Sequence, residues 1–107
     1  MKKLLCAIAL ALASSAGYAA DAQYTLVIRD HKFEPSELKV PAGKKVKLVV
    51  DNQDASAEEF ESHALNREKV IPGKSKANIF IGPLKKGRYP FVGEFNEKTA
   101  KGVIVAE

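Results

Sequence analysis

The chain has a single cysteine, Cys6, and a single methionine, Met1. Both sit at the start, in a segment that reads as disposable. Lys2 and Lys3 give it a basic beginning, Leu4 to Ala13 is an unbroken apolar run, and Gly17-Tyr18-Ala19 offers small residues at the −3 and −1 positions of a cleavage site. This is the anatomy of a secretory signal peptide, with an apolar stretch too short to span a membrane. Residues 1–19 are therefore expected to be removed, leaving residues 20–107 as one exported domain in the periplasm. That domain has no sulfur. A disulfide framework is excluded, although an export compartment would permit one. So are a cysteine nucleophile, a thiolate metal site, a haem attachment motif and an iron–sulfur cluster. Cys6 stands near the start of the apolar run instead of ending it, which argues against a lipoprotein anchor.

Long hydrophobic runs are also scarce. After Ala13 none reaches spanning length, so the exported product is expected to be soluble. Strong charge of one sign is missing too. Losing Lys2 and Lys3 leaves 15 basic against 13 acidic residues, a net +2. With neither clustered arginines nor aromatic stacking motifs, no nucleic-acid partner is expected. A domain of this size buries only about 60–65% of its unfolded surface. Its core is thin and leaves little room for a deep catalytic cavity.

What is present is a β pattern. In Tyr24-Thr25-Leu26-Val27-Ile28-Arg29, alternation puts Tyr24, Leu26 and Ile28 on one face. In Lys45-Val46-Lys47-Leu48-Val49-Val50, Val46, Leu48 and Val50 point inward and the lysines outward. Ala77 to Ile81 and Val103 to Val105 are further β-rich runs. Turn signals separate them at Pro35-Ser36, Pro41-Ala42-Gly43, Pro72-Gly73-Lys74 and Lys86-Gly87. Short strands at this spacing predict an all-β, antiparallel sandwich with Greek-key connections. From Asp51 to about Val70 no strand is predicted, and so long a gap in a small domain is either functional or partly helical.

That segment carries the chemistry. Asp51, Asp54, Glu58, Glu59 and Glu61 precede His63 with no basic residue among them. In an extended chain Glu59, Glu61 and His63 share one face; in a helix Glu59 and His63 pair at i, i+4. Oxygen and nitrogen donors of this kind suit iron, manganese, zinc or copper(II) better than copper(I), which prefers sulfur. The plainer reading is a solvated acidic loop capping a helix near Glu58. A second candidate is Glu94, between Phe91 and Phe95 after a strand through Tyr89. Flanking aromatics would desolvate it and favour a partner cation; alternatively, it simply faces water in a turn. His31 lies beside a turn, where a histidine more commonly makes structural hydrogen bonds than binds metal. Lys39, Lys44, Lys45 and Lys47 read as the wet side of a hairpin.

The runs His31-Lys32-Phe33-Glu34-Pro35, Leu38 to Gly43, and Val46-Lys47-Leu48 into Asp51-Asn52 resemble the first half of small bacterial cupredoxin-like domains. Glu58 to Ser62, Glu68-Lys69-Val70, Pro83-Leu84, Gly87-Arg88-Tyr89, Gly93-Glu94-Phe95 and Thr99 to Gly102 resemble the periplasmic cupredoxin-domain proteins associated with bacterial iron-permease uptake systems. The resemblance covers essentially all of residues 20–107. It implies a cupredoxin-like Greek-key sandwich with metal ligands on two loops at one end. Blue-copper relatives would have Cys near Gly93 and His near Asn96. The iron-associated subgroup often has His directly after Gly-Glu-Phe, where this chain has Asn96. The ligand set left by the resemblance is Glu59, Glu61, His63 and Glu94.

Physical chemistry agrees that blue copper is excluded, because that site needs a thiolate. Carboxylates favour the higher oxidation state of iron, so iron is the first expectation and copper(II) the second. Oxidation also needs an electron acceptor, such as a coupled copper ion or a partner. Three functions follow: a metal-binding partner of an iron permease, a copper(II)-handling protein, or a metal-free interaction module. A hydrolase is remote, since two histidines offer no arguable Ser/His/Asp arrangement.

Overall fold

The computed structural model describes residues 20–107. The expected signal segment, residues 1–19, lies outside the described residues. Nine strands follow in order: β1 (Ala22–Arg29), β2 (Lys32–Glu34), β3 (Glu37–Val40), β4 (Val46–Asn52), β5 (Glu58–Ser62), β6 (Arg67–Ile71), β7 (Ser75–Ile81), β8 (Gly87–Gly93) and β9 (Lys101–Ala106). A 3-10 turn, Glu94–Asn96, sits between β8 and β9. One sheet has the order β2-β1-β4-β7 and the other β3-β9-β8-β5-β6. The all-β sandwich predicted from the alternation is the fold observed.

The sheets are mixed, not wholly antiparallel as expected. β1 lies parallel to β4, and β3 parallel to β9. The chain leaves the first sheet after β2, contributes β3 to the second, and returns as β4 alongside β1. A crossover of this kind restores the original strand direction, so it produces a parallel pair.

The predicted inward faces are the core. Leu26, Ile28, Val46, Leu48 and Val50 are fully buried. Phe33, Phe60 and Phe91 link the two sheets: Phe33 meets Phe91 edge-on at 4.9 Å, and Phe60 stacks on Phe91 at 5.0 Å. Such pairs add about 0.5–1.5 kcal/mol each beyond the burial of their area.

The segment from Asp51 to Val70 departs most from expectation. It is not a helix or long loop but the end of β4, all of β5 and most of β6. On β5 the inward positions are Glu58, Phe60 and Ser62. Two polar residues on the buried face disguise the alternation. The Ser62 hydroxyl is satisfied by donating to the Pro90 carbonyl at 2.7 Å, and it accepts the Leu65 N–H at 3.1 Å. β6 is an edge strand on which only Ile71 is buried, so it too lacks an apolar stripe.

His31 belongs to the β1–β2 hairpin. Asp30 and His31 both have positive φ, 53° and 57°, the conformation of the two-residue type I′ turn that matches strand twist. Asp54 holds the turn from across the fold, accepting the Asp30 N–H at 2.8 Å and the His31 N–H at 3.0 Å. The His31 backbone bond is the main reason the Asp54 pKa is lowered. Asp54→Ala should therefore cost about 1–3 kcal/mol, seen as a lower urea midpoint. The depressed pKa places the loss of this stabilisation on acidification, as pH falls through the range below Asp54's ordinary 3.8.

Candidate metal centre

β5 is extended, so Glu59 and Glu61 project to the same outer face of the second sheet. Both are half-buried. Strand register supplies their neighbours. Glu61 pairs with Glu68 on β6 and with Val92 on β8, while Phe60 pairs with Gly93. The residue after Gly93 is Glu94, the first of the 3-10 turn. The result is a cluster of four carboxylates, from Glu59, Glu61, Glu68 and Glu94, each offering an oxygen within 4.8 Å of the other three. Two come from the middle of a strand, one from its edge-strand partner and one from the turn across the sheet.

Three of the four residues predicted as ligands thus converge. His63 does not join them. It lies just past the end of β5, its side chain is 95% exposed, and its Nε2 is 3.7 Å from Glu61 Oε1. It flanks the cluster because the chain turns at His63 to Asn66, where the Asn66 N–H bonds the His63 carbonyl. Glu68 takes the place expected for His63. Nothing in spacing marked it, since it lies seven positions after Glu61 and only the β5–β6 pairing brings them opposite. His31 lies with Asp54 and is not in the cluster; its Nδ1 is 3.6 Å from Asp54 Oδ2.

Glu94 is exposed in a turn, the plainer of its two readings, and is not desolvated between aromatics. Phe91 is buried in the core, while Phe95 is 54% exposed. What surrounds Glu94 is other carboxylates. The Lys39, Lys44, Lys45 and Lys47 group is divided between the sheets: Lys39 is on β3 and Lys47 on β4.

Crowding of like charges leaves an electrostatic signature. The hydrogen bond Glu59 shares with Glu94, then partial burial and the charges of Glu94 and Glu68, push its pKa from 4.5 up to about 7. Glu61 is also raised, first by burial and then by Glu94, with His63 opposing. A raised carboxylate pKa means the folded chain binds more protons than the unfolded one in that window. The metal-free protein should therefore lose stability as pH rises from about 4.5 to about 7. Thermal melts across this range, with and without Glu59→Gln, check it; the variant's curve should be flatter.

A carboxylate cluster of this kind is a hard, oxygen-only donor set. It fits iron or manganese and is a poor host for copper(I). The end of β8 also lacks a soft site. Gly93 is buried, and a Cβ there would come within 2.6 Å of Glu58 Cδ and 2.7 Å of Ala100 Cβ. The Glu58 carboxyl fills that space, accepting a hydrogen bond from Asn96 Nδ2 at 2.7 Å.

A family model for the cupredoxin-like domain matches residues 3–106. The chain belongs to this family. Among solved structures, this cupredoxin-like domain is similar to auracyanin A, a blue copper protein of Chloroflexus aurantiacus, with a TM-score of 0.69 and 13% identity over 79% of this chain and 98% of that one. It is also similar to the metal-binding domain of the Streptococcus pneumoniae Cu(I)-exporting P-type ATPase CopA, with a TM-score of 0.67 and 16% identity over 79% of this chain and 84% of that one. At such identities the likeness is one of fold. In sequence it is 44% identical over 80 residues to the uncharacterized protein RP394 of Rickettsia prowazekii. The match covers 75% of this chain and 64% of that protein, so the chain spans less than two thirds of the relative's length. The copper of the auracyanin-type site does not fit the residues present here: no thiolate occurs among the described residues, and the positions resembling Cys and His hold Gly93 and Asn96.

Proposed function

We propose that this cupredoxin-like protein binds iron as cargo at Glu59, Glu61, Glu68 and Glu94 and serves an iron permease in the periplasm. The observation that carries this reading is the convergence of four carboxylates from two strands and a turn on one face of a sheet. Four like charges so close raise a proton affinity that a divalent or trivalent cation would satisfy better. The oxygen donors favour iron(III) over iron(II), so binding would ease oxidation of the cargo. Oxidation itself needs an electron acceptor, which a coupled copper ion or a partner would supply. The protein's own part is to bind, hold and hand over the ion. The likeness of Glu58 to Ser62 and Gly93 to Phe95 to the iron-permease-associated proteins supports the same reading.

Anaerobic equilibrium dialysis with iron(II), manganese(II) and copper(II) tests it. Stoichiometric binding of iron(II) and manganese(II) is the expected result; absence of specific binding would refute it. Since protons compete for the same oxygens, affinity should climb between about pH 6 and pH 8 around the Glu59 value of about 7, with proton release on binding.

Copper(II) handling is the second reading. His63 beside Glu61 at 3.7 Å favours it, as does the copper chemistry of the structural neighbours. Copper(II) binds most nitrogen and oxygen sites tightly in vitro. The discriminating measurement is therefore metal content after export into a periplasm of controlled metal supply, with and without His63→Ala. A metal-free interaction module would instead bind its partner through the acidic face regardless of chelator, with affinity falling steeply in salt.

A further inference from the structure

Glu58 is 1% exposed, the most deeply buried acid among the described residues. No ion pair involves it among those residues. A buried carboxylate needs its lone pairs satisfied by hydrogen bonds if a cation does not neutralise it. Glu58 has three donors. Oε1 accepts the Glu59 N–H at 3.0 Å and the Phe95 N–H at 2.8 Å, and Oε2 accepts Asn96 Nδ2 at 2.7 Å. Two of these donors lie in the 3-10 turn that begins with Glu94.

Besides Glu58, the turn is held by the Gly93 N–H bond to the Ala100 carbonyl at 2.8 Å and by bonds to the Asn96 carbonyl. It is three residues long, and Gly93 before it supplies no side-chain cap. Short 3-10 segments have poor internal hydrogen-bond geometry, so this one depends on contacts from outside. Glu58 supplies the missing acceptor from β5. Asn96 then ties the turn onward: its carbonyl accepts the Thr99 N–H at 3.1 Å and the Ala100 N–H at 2.8 Å, just before β9. A carboxylate can only accept, so the Asn96 atom facing Glu58 is the amide nitrogen.

We propose that the Glu58–Asn96 pair is a buried latch that positions Glu94 over β5, so that its carboxylate meets those of Glu59, Glu61 and Glu68. The functional consequence rests on the metal-binding reading above. Asn96 is thereby a positioning residue, not a vacant ligand. Gly93 completes the device, because any side chain there would displace the Glu58 carboxyl.

Reversing the polarity of the latch tests it. Asn96→Asp sets a second carboxylate against that of Glu58 and should open the latch. In Glu58→Gln/Asn96→Asp, the new amide oxygen can accept both backbone N–H groups while its NH₂ donates to the new carboxylate, closing the latch again. Each variant is examined in two ways. Without metal, NMR contacts between the Glu94 side chain and those of Glu59 and Glu68 should be present in the wild type, lost in Asn96→Asp and regained in the double variant. With manganese(II) as probe, calorimetry should show affinity falling about tenfold in Asn96→Asp, the range for residues supporting a ligand, and recovering in the double variant. Circular dichroism confirms folding, and Asn96→Ala, which removes the donor without adding charge, stands in if Asn96→Asp does not fold. Unchanged Glu94 contacts in a folded single variant, or no recovery in the double variant, would overturn the latch. If the wild type binds no manganese(II) or iron(II), the metal-binding reading fails, and the metal-free contacts alone decide the latch.

Discussion

Glu59→Gln combined with Glu94→Gln should abolish most of the iron(II) and manganese(II) affinity, by more than about a hundredfold, given that residues merely supporting a ligand cost 10–100-fold. The two substitutions keep side-chain size and backbone geometry but remove two of the four negative charges in the cluster. They also dissolve the contact that most raises Glu59, its hydrogen bond with the Glu94 carboxyl. The same variant should be more heat-stable than the wild type at pH 8 when metal is absent, because repulsion has been removed. At pH 4 the two proteins should melt more nearly alike, since Glu59, raised to about 7, is then protonated in the wild type. Opposite signs for affinity and stability are the mark of a binding site, where function is kept at some expense of the fold. Calorimetry and thermal melts at the two pH values check both. A variant that bound metal as tightly as the wild type would remove Glu59 and Glu94 from the site.

Phe91→Ala should cost about 3–5 kcal/mol, the range for emptying a buried aromatic position. Phe91 is 2% exposed and touches both other core rings, Phe33 edge-on and Phe60 in a stack. One substitution thus breaks two aromatic contacts and the main tie between the sheets. A domain of this length has a total stability of roughly 4–13 kcal/mol, so the loss is a large part of it. The melting temperature should fall by more than about 12 °C at 4–8 °C per kcal/mol, and the urea midpoint should fall with it. The site is coupled to this loss. Phe60 alternates with Glu59 and Glu61 on β5, and Gly93 opposite Phe60 precedes Glu94. If the inner face of β5 loosens, so does the outer face that carries the acids. Metal should accordingly stabilise Phe91→Ala, with a rise in melting temperature that depends on metal concentration.

Much of the fold was legible because it follows local rules. Leu26 and Ile28 alternate with polar neighbours, as do Val46, Leu48 and Val50, and each set is buried as its period requires. β5 was not legible, because two of its three inward residues, Glu58 and Ser62, are polar and are satisfied only by partners far along the chain, Asn96 and Pro90. β6 was hidden for a related reason: an edge strand with a single buried residue has no stripe to read. The mixed sheet direction was likewise invisible, since it depends on which sheet β3 joins.

The sequence alone determined the donor chemistry. With its only cysteine and methionine ahead of residue 20, the described chain can offer a metal only oxygen and imidazole nitrogen, whatever its fold. It also concentrated five acids between Asp51 and Glu61. The tertiary structure decided which acids meet. Glu68 joins Glu61 through antiparallel register, Glu94 arrives from across the sheet, and His63 is turned aside by the end of β5. Glu58, an acid from the same stretch, was assigned to the interior, where it binds the turn instead of a cation. The physical reason is that residue type travels with the sequence. Convergence of charges within 4.8 Å is a property of strand pairing, and pairing is settled by the burial of Phe33, Phe60 and Phe91 on the other side of the sheet.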